Sequence, residues 1–138
     1  TDPVNRVSSR PDFLVLGYPW LEGTVIDDQG GSQYCLFARS NCRPQDYDRY
    51  VPLRRVTADM PPTFIFHTVG DGLVPVQGSM RFAMALAEKH VPVEFHAFAE
   101  GEHGVGLGGS DQALTAWPDL LEKWLRGRGL LGSATGSR

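Results

Sequence analysis

The stretch from Thr63 to Leu107, TFIFHTVGDGLVPVQGSMRFAMALAEKHVPVEFHAFAEGEHGVGL, leaves little choice of fold. TFIFHT is an apolar run rich in aromatic and β-branched residues, and it ends in the turn GDG. A helical pattern follows, opening at Val74-Pro75, where proline fits the first turn, and running to about Lys89. VPVEFHAF is a second run of strand character, and it ends in the glycine-rich turn GEHGVGLGGSD. Strand, turn, helix, strand, turn is a βαβ unit, and a crossover of this kind delivers both turns to the same edge of a parallel sheet. Asp71 and His103, one in each turn, are therefore predicted to meet there.

The remaining residues read as support for that unit. Residues 1 to 11 are polar, carry Pro3 and Pro11, and form a lead-in. Phe13 to Gly17 is a continuous apolar run, which suits a strand covered on both faces, and Pro19 closes it. Tyr18, Trp20 and Glu22 follow its carboxyl end and should hang over the same edge as Asp71 and His103. Tyr18 and Trp20 are candidate substrate-binding residues, with Trp20 reading equally well as an aromatic plug over the core.

Between Gly30 and Asp59 the pattern weakens, and short helices are expected near residues 32–38 and 44–50. In the helix after Asp71, Phe82, Ala83 and Leu86 should form the core stripe with Met80 and Ala87 beside them, while Arg81, Glu88 and Lys89 face water. Along the last strand Val93, Phe95 and Ala97 face one side and Glu94, His96 and Phe98 the other, a pattern suited to a sheet edge. Pro118 to Arg126 is the final helix. The fold class is thus α/β, a three-stranded parallel sheet with flanking helices, in a single domain over residues 1–131 with a disordered tail at 132–138.

Composition narrows the function by exclusion. A chain of 138 residues with 41% hydrophobic and 21% charged residues has one core to build, and a net charge of -3 offers no footprint for nucleic acid or an anionic membrane. No apolar run approaches the roughly 18 residues that span a bilayer, and the first residues have no signal-peptide pattern. That leaves both a cytoplasmic and an exported protein open. Cys35 and Cys42 are too few for a disulfide framework, and they read as free thiols or as one small loop. The histidines show no HxH or HxxxH spacing, so no metal site is expected.

Asp71 in its glycine turn reads either as a cap for the helix that follows or as a carboxylate held for a partner. His103, flanked by glycines that leave its ring accessible, supplies such a partner. A neutral imidazole takes a proton from a nucleophile, and a buried carboxylate fixes its tautomer and stabilises the imidazolium that forms. His67 and His96 lie within strands and read as packing histidines, and His90 ends a helix and reads as solvated.

Taken together, RPDFLVLGYP at 10–19, MPPTFIFHTVGDGLVPV at 60–76, Ser79, VPVEFHAF at 91–98, GEHGVGL at 101–107 and Trp117 with WL at 124–125 resemble the C-terminal half of the α/β-hydrolase fold. The likeness is to small bacterial esterases of the acetyl xylan and feruloyl esterase type. It implies Asp71 as triad acid, His103 as triad base, a small-molecule ester as substrate, and no cofactor. It also implies a serine in a GxSxG elbow upstream of Phe13, a motif that this chain does not contain. The fold is then a truncated half that lacks the nucleophile-elbow region. Glu102 stands where the family has a small residue, which sets a carboxylate beside the base.

A nucleophile must come from elsewhere. Ser79, on the helix after the acid turn, is the candidate within one chain. Ser8 and Ser9 lie at the wrong end of the first strand, about 17 Å or more from its carboxyl edge at ~3.3 Å per residue. An antiparallel pairing of that strand with a second copy brings the copy's Ser8 and Ser9 to the edge that holds Asp71 and His103. A bare apolar strand edge is an association site, so a homo-oligomer is expected. Cys35 and Cys42 are lesser candidates. The alternative is a catalytically incomplete fragment that folds by oligomerising and binds apolar ligands, and a further one is a half that requires a separate N-terminal half.

Overall fold

TFIFHT is buried at every position, which for a strand means neighbours on both edges and cover on both faces. The computed structural model describes residues 2–22 and 50–131. The expected helix at 32–38, most of that at 44–50, the tail at 132–138 and both cysteines lie outside the described residues. Three parallel strands are present: β1 (Leu14–Gly17), β2 (Thr63–Thr68) and β3 (Val93–Phe98), in the order β1-β2-β3. Register aligns Leu14 with Thr63 and Thr63 with Val93, so all three strands start level and end toward the same edge. Prolines open the ladder as acceptors, with Leu14 N–H donating to Pro62 O and Thr63 N–H to Pro92 O, each at 2.9 Å. They have no N–H of their own to leave unpaired.

Alternation along β2 sorts its side chains into two layers. Phe64 and Phe66 pack with Trp124 of α2 (Trp117–Gly127) on one face. Ile65 packs with Phe82 and Leu86 of α1 (Val76–Glu88), and with Leu21 and Val91, on the other. Full burial of Phe82 and Leu86 stabilises the α1 side by roughly 1.5–3 kcal/mol per side chain. The buried residues of α1 are Val76, Gly78, Ser79, Phe82 and Leu86. Met80 and Ala87, expected beside the stripe, are exposed instead, because the buried stripe runs through the smaller Ser79 one position earlier.

Among the described residues β3 is an edge strand, and its Val93 and Phe95 pack toward α1 while Phe98 packs toward α2. Ala97, next after Phe95 in the same alternation, is exposed near the strand's end. The other outer strand is β1, which among the described residues pairs only with β2 and leaves Val15 exposed. Gly17 ends β1 where a side chain has no room, since a Cβ there would lie 2.9 Å from the ring of Phe66. A 3-10 turn at Pro52–Arg55 leads toward β2, and among the described residues no helix is long and apolar enough to cross a membrane.

Candidate active site

The ladder does not stop at the strand ends. Val69 N–H donates to Phe98 O at 2.7 Å, Gly70 N–H to Ala99 O at 3.1 Å, and the Thr68 hydroxyl to Gly101 O at 2.7 Å. These bonds zip the acid turn to the histidine turn. Gly101 is required for this closure: its φ is +121°, and a Cβ would sit 2.9 Å from Thr68 Cγ2.

Held in this way, Asp71 and His103 are in contact. His103 Nδ1 lies 2.8 Å from Asp71 Oδ2. The Asp71 side chain has no exposed surface, whereas His103 is 30% exposed. Oδ1 of Asp71 accepts from Leu73 N–H at 2.9 Å and Val74 N–H at 2.7 Å, ahead of the first residue of α1. Of the two readings of Asp71, the partner of a histidine is realised through Oδ2; the helix cap is not, because α1 starts behind Pro75 with no side-chain cap and Oδ1 bonds the turn ahead of it instead. Burial pushes its pKa up, but the Val74 N–H, His103 and the Leu73 N–H pull it down and prevail, so the carboxyl is held below its usual range. An ionised carboxylate accepts from His103 Nδ1–H, and the Nε2 lone pair of a neutral ring is then available to take a proton.

A second histidine reaches the same oxygen. His67 on β2 is wholly buried and places Nε2 at 3.1 Å from Asp71 Oδ2 and 3.0 Å from Val74 O. Its Nδ1 is 2.7 Å from Ser79 Oγ. A carboxylate and a carbonyl only accept, so the proton is on Nε2 and Nδ1 accepts from the Ser79 hydroxyl. Burial depresses the His67 pKa, against the opposing pull of Val74 O and Asp71, and favours the neutral ring.

The other candidates fall into place around this centre. Tyr18 adopts φ +39°, an uncommon conformation for a side chain of this size, and its N–H continues the ladder to Phe66 O at 2.8 Å. Its ring meets His103 edge-on at 5.1 Å and Phe66 at 5.6 Å. Phe66 in turn stacks on Trp117 at 4.2 Å, whose Nε1–H donates to Gly106 O in the histidine turn. Trp20 lines a pocket of about 180 Å³ with Leu21, Glu22, Val74, Gln77 and Arg81, and Glu22 and Arg81 form an ion pair there. Glu102 is exposed.

None of the three candidate serines is placed on His103. Ser79 is wholly buried with its hydroxyl on His67, so its expected access to an ester is corrected: its partner is the histidine behind the acid. Ser8 and Ser9 are exposed ahead of β1, at the opposite edge of the sheet, and Ser8 Oγ accepts from Arg10 N–H. Sequence reasoning treated His67 as packing alone. The four-residue spacing from His67 to Asp71 across a strand end was the available signal, and it becomes a contact only because the turn folds back. Among the described residues no group of three His, Cys, Asp or Glu side chains is arranged to hold a metal ion.

Comparison with known proteins gives a consistent picture. The model of the prolyl oligopeptidase family matches residues 20–126. The crystal structure of an acetyl ester-xyloside bifunctional hydrolase from Caldicellulosiruptor lactoaceticus is 40% identical with a TM-score of 0.83, over 95% of this chain and 47% of that one. The carboxylesterase Cest-2923 from Lactobacillus plantarum WCFS1 is 24% identical with a TM-score of 0.72, over 91% of this chain and 48% of that one, a likeness of fold. Endo-1,4-beta-xylanase B of Butyrivibrio fibrisolvens is 31% identical over 125 residues, 88% of this chain and 19% of that protein. The chain thus spans about half the length of the solved structures it matches and a smaller share of the curated relative.

Proposed function

The chain belongs to the prolyl oligopeptidase family and has the architecture of half an α/β-hydrolase, and from that premise we propose that it supplies the acid and base of a carboxylic ester hydrolase acting by serine acyl transfer. The observation that carries this reading is the 2.8 Å contact between buried Asp71 and partly exposed His103 at the carboxyl edge of the sheet. In this reaction His103 Nε2 takes the proton of a serine hydroxyl as its oxygen attacks the ester carbonyl. The proton then passes to the departing alcohol, and water repeats the sequence on the acyl-enzyme. Asp71 holds the imidazole in the Nδ1–H tautomer and stabilises the imidazolium. Short-chain esters are the proposed substrates, with Tyr18 beside the base and Trp20 in the pocket near Val74 as contacts for them. Acetylated sugars are one such class, in keeping with the name of the Caldicellulosiruptor enzyme.

The serine is proposed to come across the edge of β1 that is unpaired among the described residues. Antiparallel pairing of β1 with a second copy places that copy's Ser8 and Ser9 near His103 and covers the edge in the same step. A second reading is favoured by the placement of the three candidate serines away from His103: the chain is catalytically incomplete, oligomerises through β1 and binds apolar ligands only. Labelling with a fluorophosphonate, followed by peptide mass spectrometry and light scattering, separates the two. A dimer at micromolar concentration with label on Ser8 or Ser9 supports the shared triad, and Ser9→Ala or Ser8→Ala then removes the label. A dimer without label supports the second reading, and a stable monomer without label rejects the oligomer as well.

A further inference from the structure

We propose that His67 is a positioning residue that sets the strength of the Asp71–His103 bond by sharing the oxygen on which that bond is made. Two imidazole donors converge on Asp71 Oδ2, His103 at 2.8 Å and His67 at 3.1 Å, while Oδ1 is occupied by the Leu73 and Val74 N–H groups. The backbone pair fixes where the carboxylate lies, so His67 is not needed to hold it there. What His67 adds is a second claim on the charge of Oδ2. Each donor on one acceptor withdraws electron density from the other, and in a dry site such mutual polarisation is larger than in water.

Three features make His67 a fixed donor. It is wholly buried, Val74 O accepts from the same Nε2–H, and the Ser79 hydroxyl occupies Nδ1, which selects the tautomer. The strand supplies the histidine, α1 supplies the serine, and the acid turn supplies both acceptors, so three successive elements build the device. Among the described residues, His103 meets Asp71 of the acid turn and the ring of Tyr18 after β1, and Glu102, exposed, is its neighbour in sequence. Only Asp71 is shared with His67. The consequence is that the stabilisation Asp71 gives to an imidazolium at His103 is set partly by a residue that touches neither substrate nor base.

This inference rests on His103 acting as the base, and it is tested on the whole chain without turnover. In the ¹H and ¹⁵N spectra of the parent protein, the neutral His67 should hold its proton on Nε2 alone, the tautomer its partners select. The His103 Nδ1–H resonance reports the Asp71 bond. In His67→Leu that resonance should move downfield, as His103 becomes the sole imidazole donor on Oδ2. His67→Gln, whose amide can donate to the same oxygen, should return it toward the parent position. An unmoved or upfield resonance in folded His67→Leu overturns the proposal, as does equal displacement in the Gln variant. Should His67→Leu fail to fold, a parent spectrum showing the neutral His67 protonated on Nδ1 overturns it equally. Inactivity toward esters with these shifts intact would count against the hydrolase reading and leave the sharing of Oδ2 standing.

Discussion

Replacing Asp71 with Asn isolates what the carboxylate does, because shape is kept and one acceptor becomes a donor. Two orientations of the amide are open. With its oxygen in the place of Oδ1, it still accepts from Leu73 and Val74 N–H, and its NH₂ faces the two imidazoles. The flipped orientation opposes NH₂ to both backbone N–H groups, which have no way to adjust, so the first prevails. His67 then still has Val74 O at 3.0 Å and keeps its proton. His103 has no such second acceptor among its described contacts, and it relieves the opposition by moving its proton from Nδ1 to Nε2, so that Nδ1 accepts from the amide. The loss is one hydrogen bond to a charged group with a weaker one made in its place, about 1–3 kcal/mol of stability. The chemical effect is larger, because the nitrogen that should accept the serine proton now holds one. In the proposed reaction, ester turnover should fall by roughly 10²–10⁴-fold, the usual contribution of a positioned general base. Long-range ¹H–¹⁵N spectra of Asp71→Asn read the tautomer directly, and urea unfolding reads the stability. A His103 proton remaining on Nδ1 in the folded variant would refute the assignment of Asp71 as the group that fixes the tautomer.

Acid should weaken the fold in two stages. Both His67 and Asp71 have depressed pKa values in the folded state, so the unfolded chain binds more protons and stability rises with pH. The His67 contribution is complete above its ordinary value of 6.5 and is lost as pH falls below it, and that of Asp71 begins to be lost below 3.8. Urea midpoints should decline as pH falls below about 6.5 and again below about pH 4, and a midpoint that stays flat below 6.5 counts against a buried neutral His67. Gly17→Ala drives a methyl to 2.9 Å from the Phe66 ring, which is pinned between Tyr18 and the Trp117 stack. Overpacking of this kind should cost about 1–3 kcal/mol in urea unfolding, and a cost within error of zero would mean that the stack yields freely.

Asp71 and His103 were legible in the sequence because each follows an apolar run that can only be a strand and sits in a glycine turn that can only be a loop. Strand order and the helix between them then bring the two together without further information. The same reasoning located Tyr18, although not its edge-on contact with His103 or its positive φ, which depend on how Phe66 and Trp117 stack beneath it. The bond between His67 and Ser79 was not legible, for one reason. Their relation runs between a strand and a helix twelve residues later, and neither period-2 nor period-3.6 patterning records which polar side chains face one another across a layer. Met80 and Ala87 were set beside the core stripe by residue type, whereas the helix turns Ser79 inward to meet His67.

The contacts that hold Asp71 in readiness, from His67, Leu73, Val74 and His103, with Ser79 behind them, all fall between the start of β2 and the turn after β3. The proton-handling part of the proposed reaction is therefore finished within one continuous run of chain, before any hydroxyl is presented to it. Such a run is an interchangeable cartridge. A complement that presents a serine and oxyanion donors at the open edge need not remodel it, so acyl specificity can change on one side of that seam while the acid–base side stays as it is.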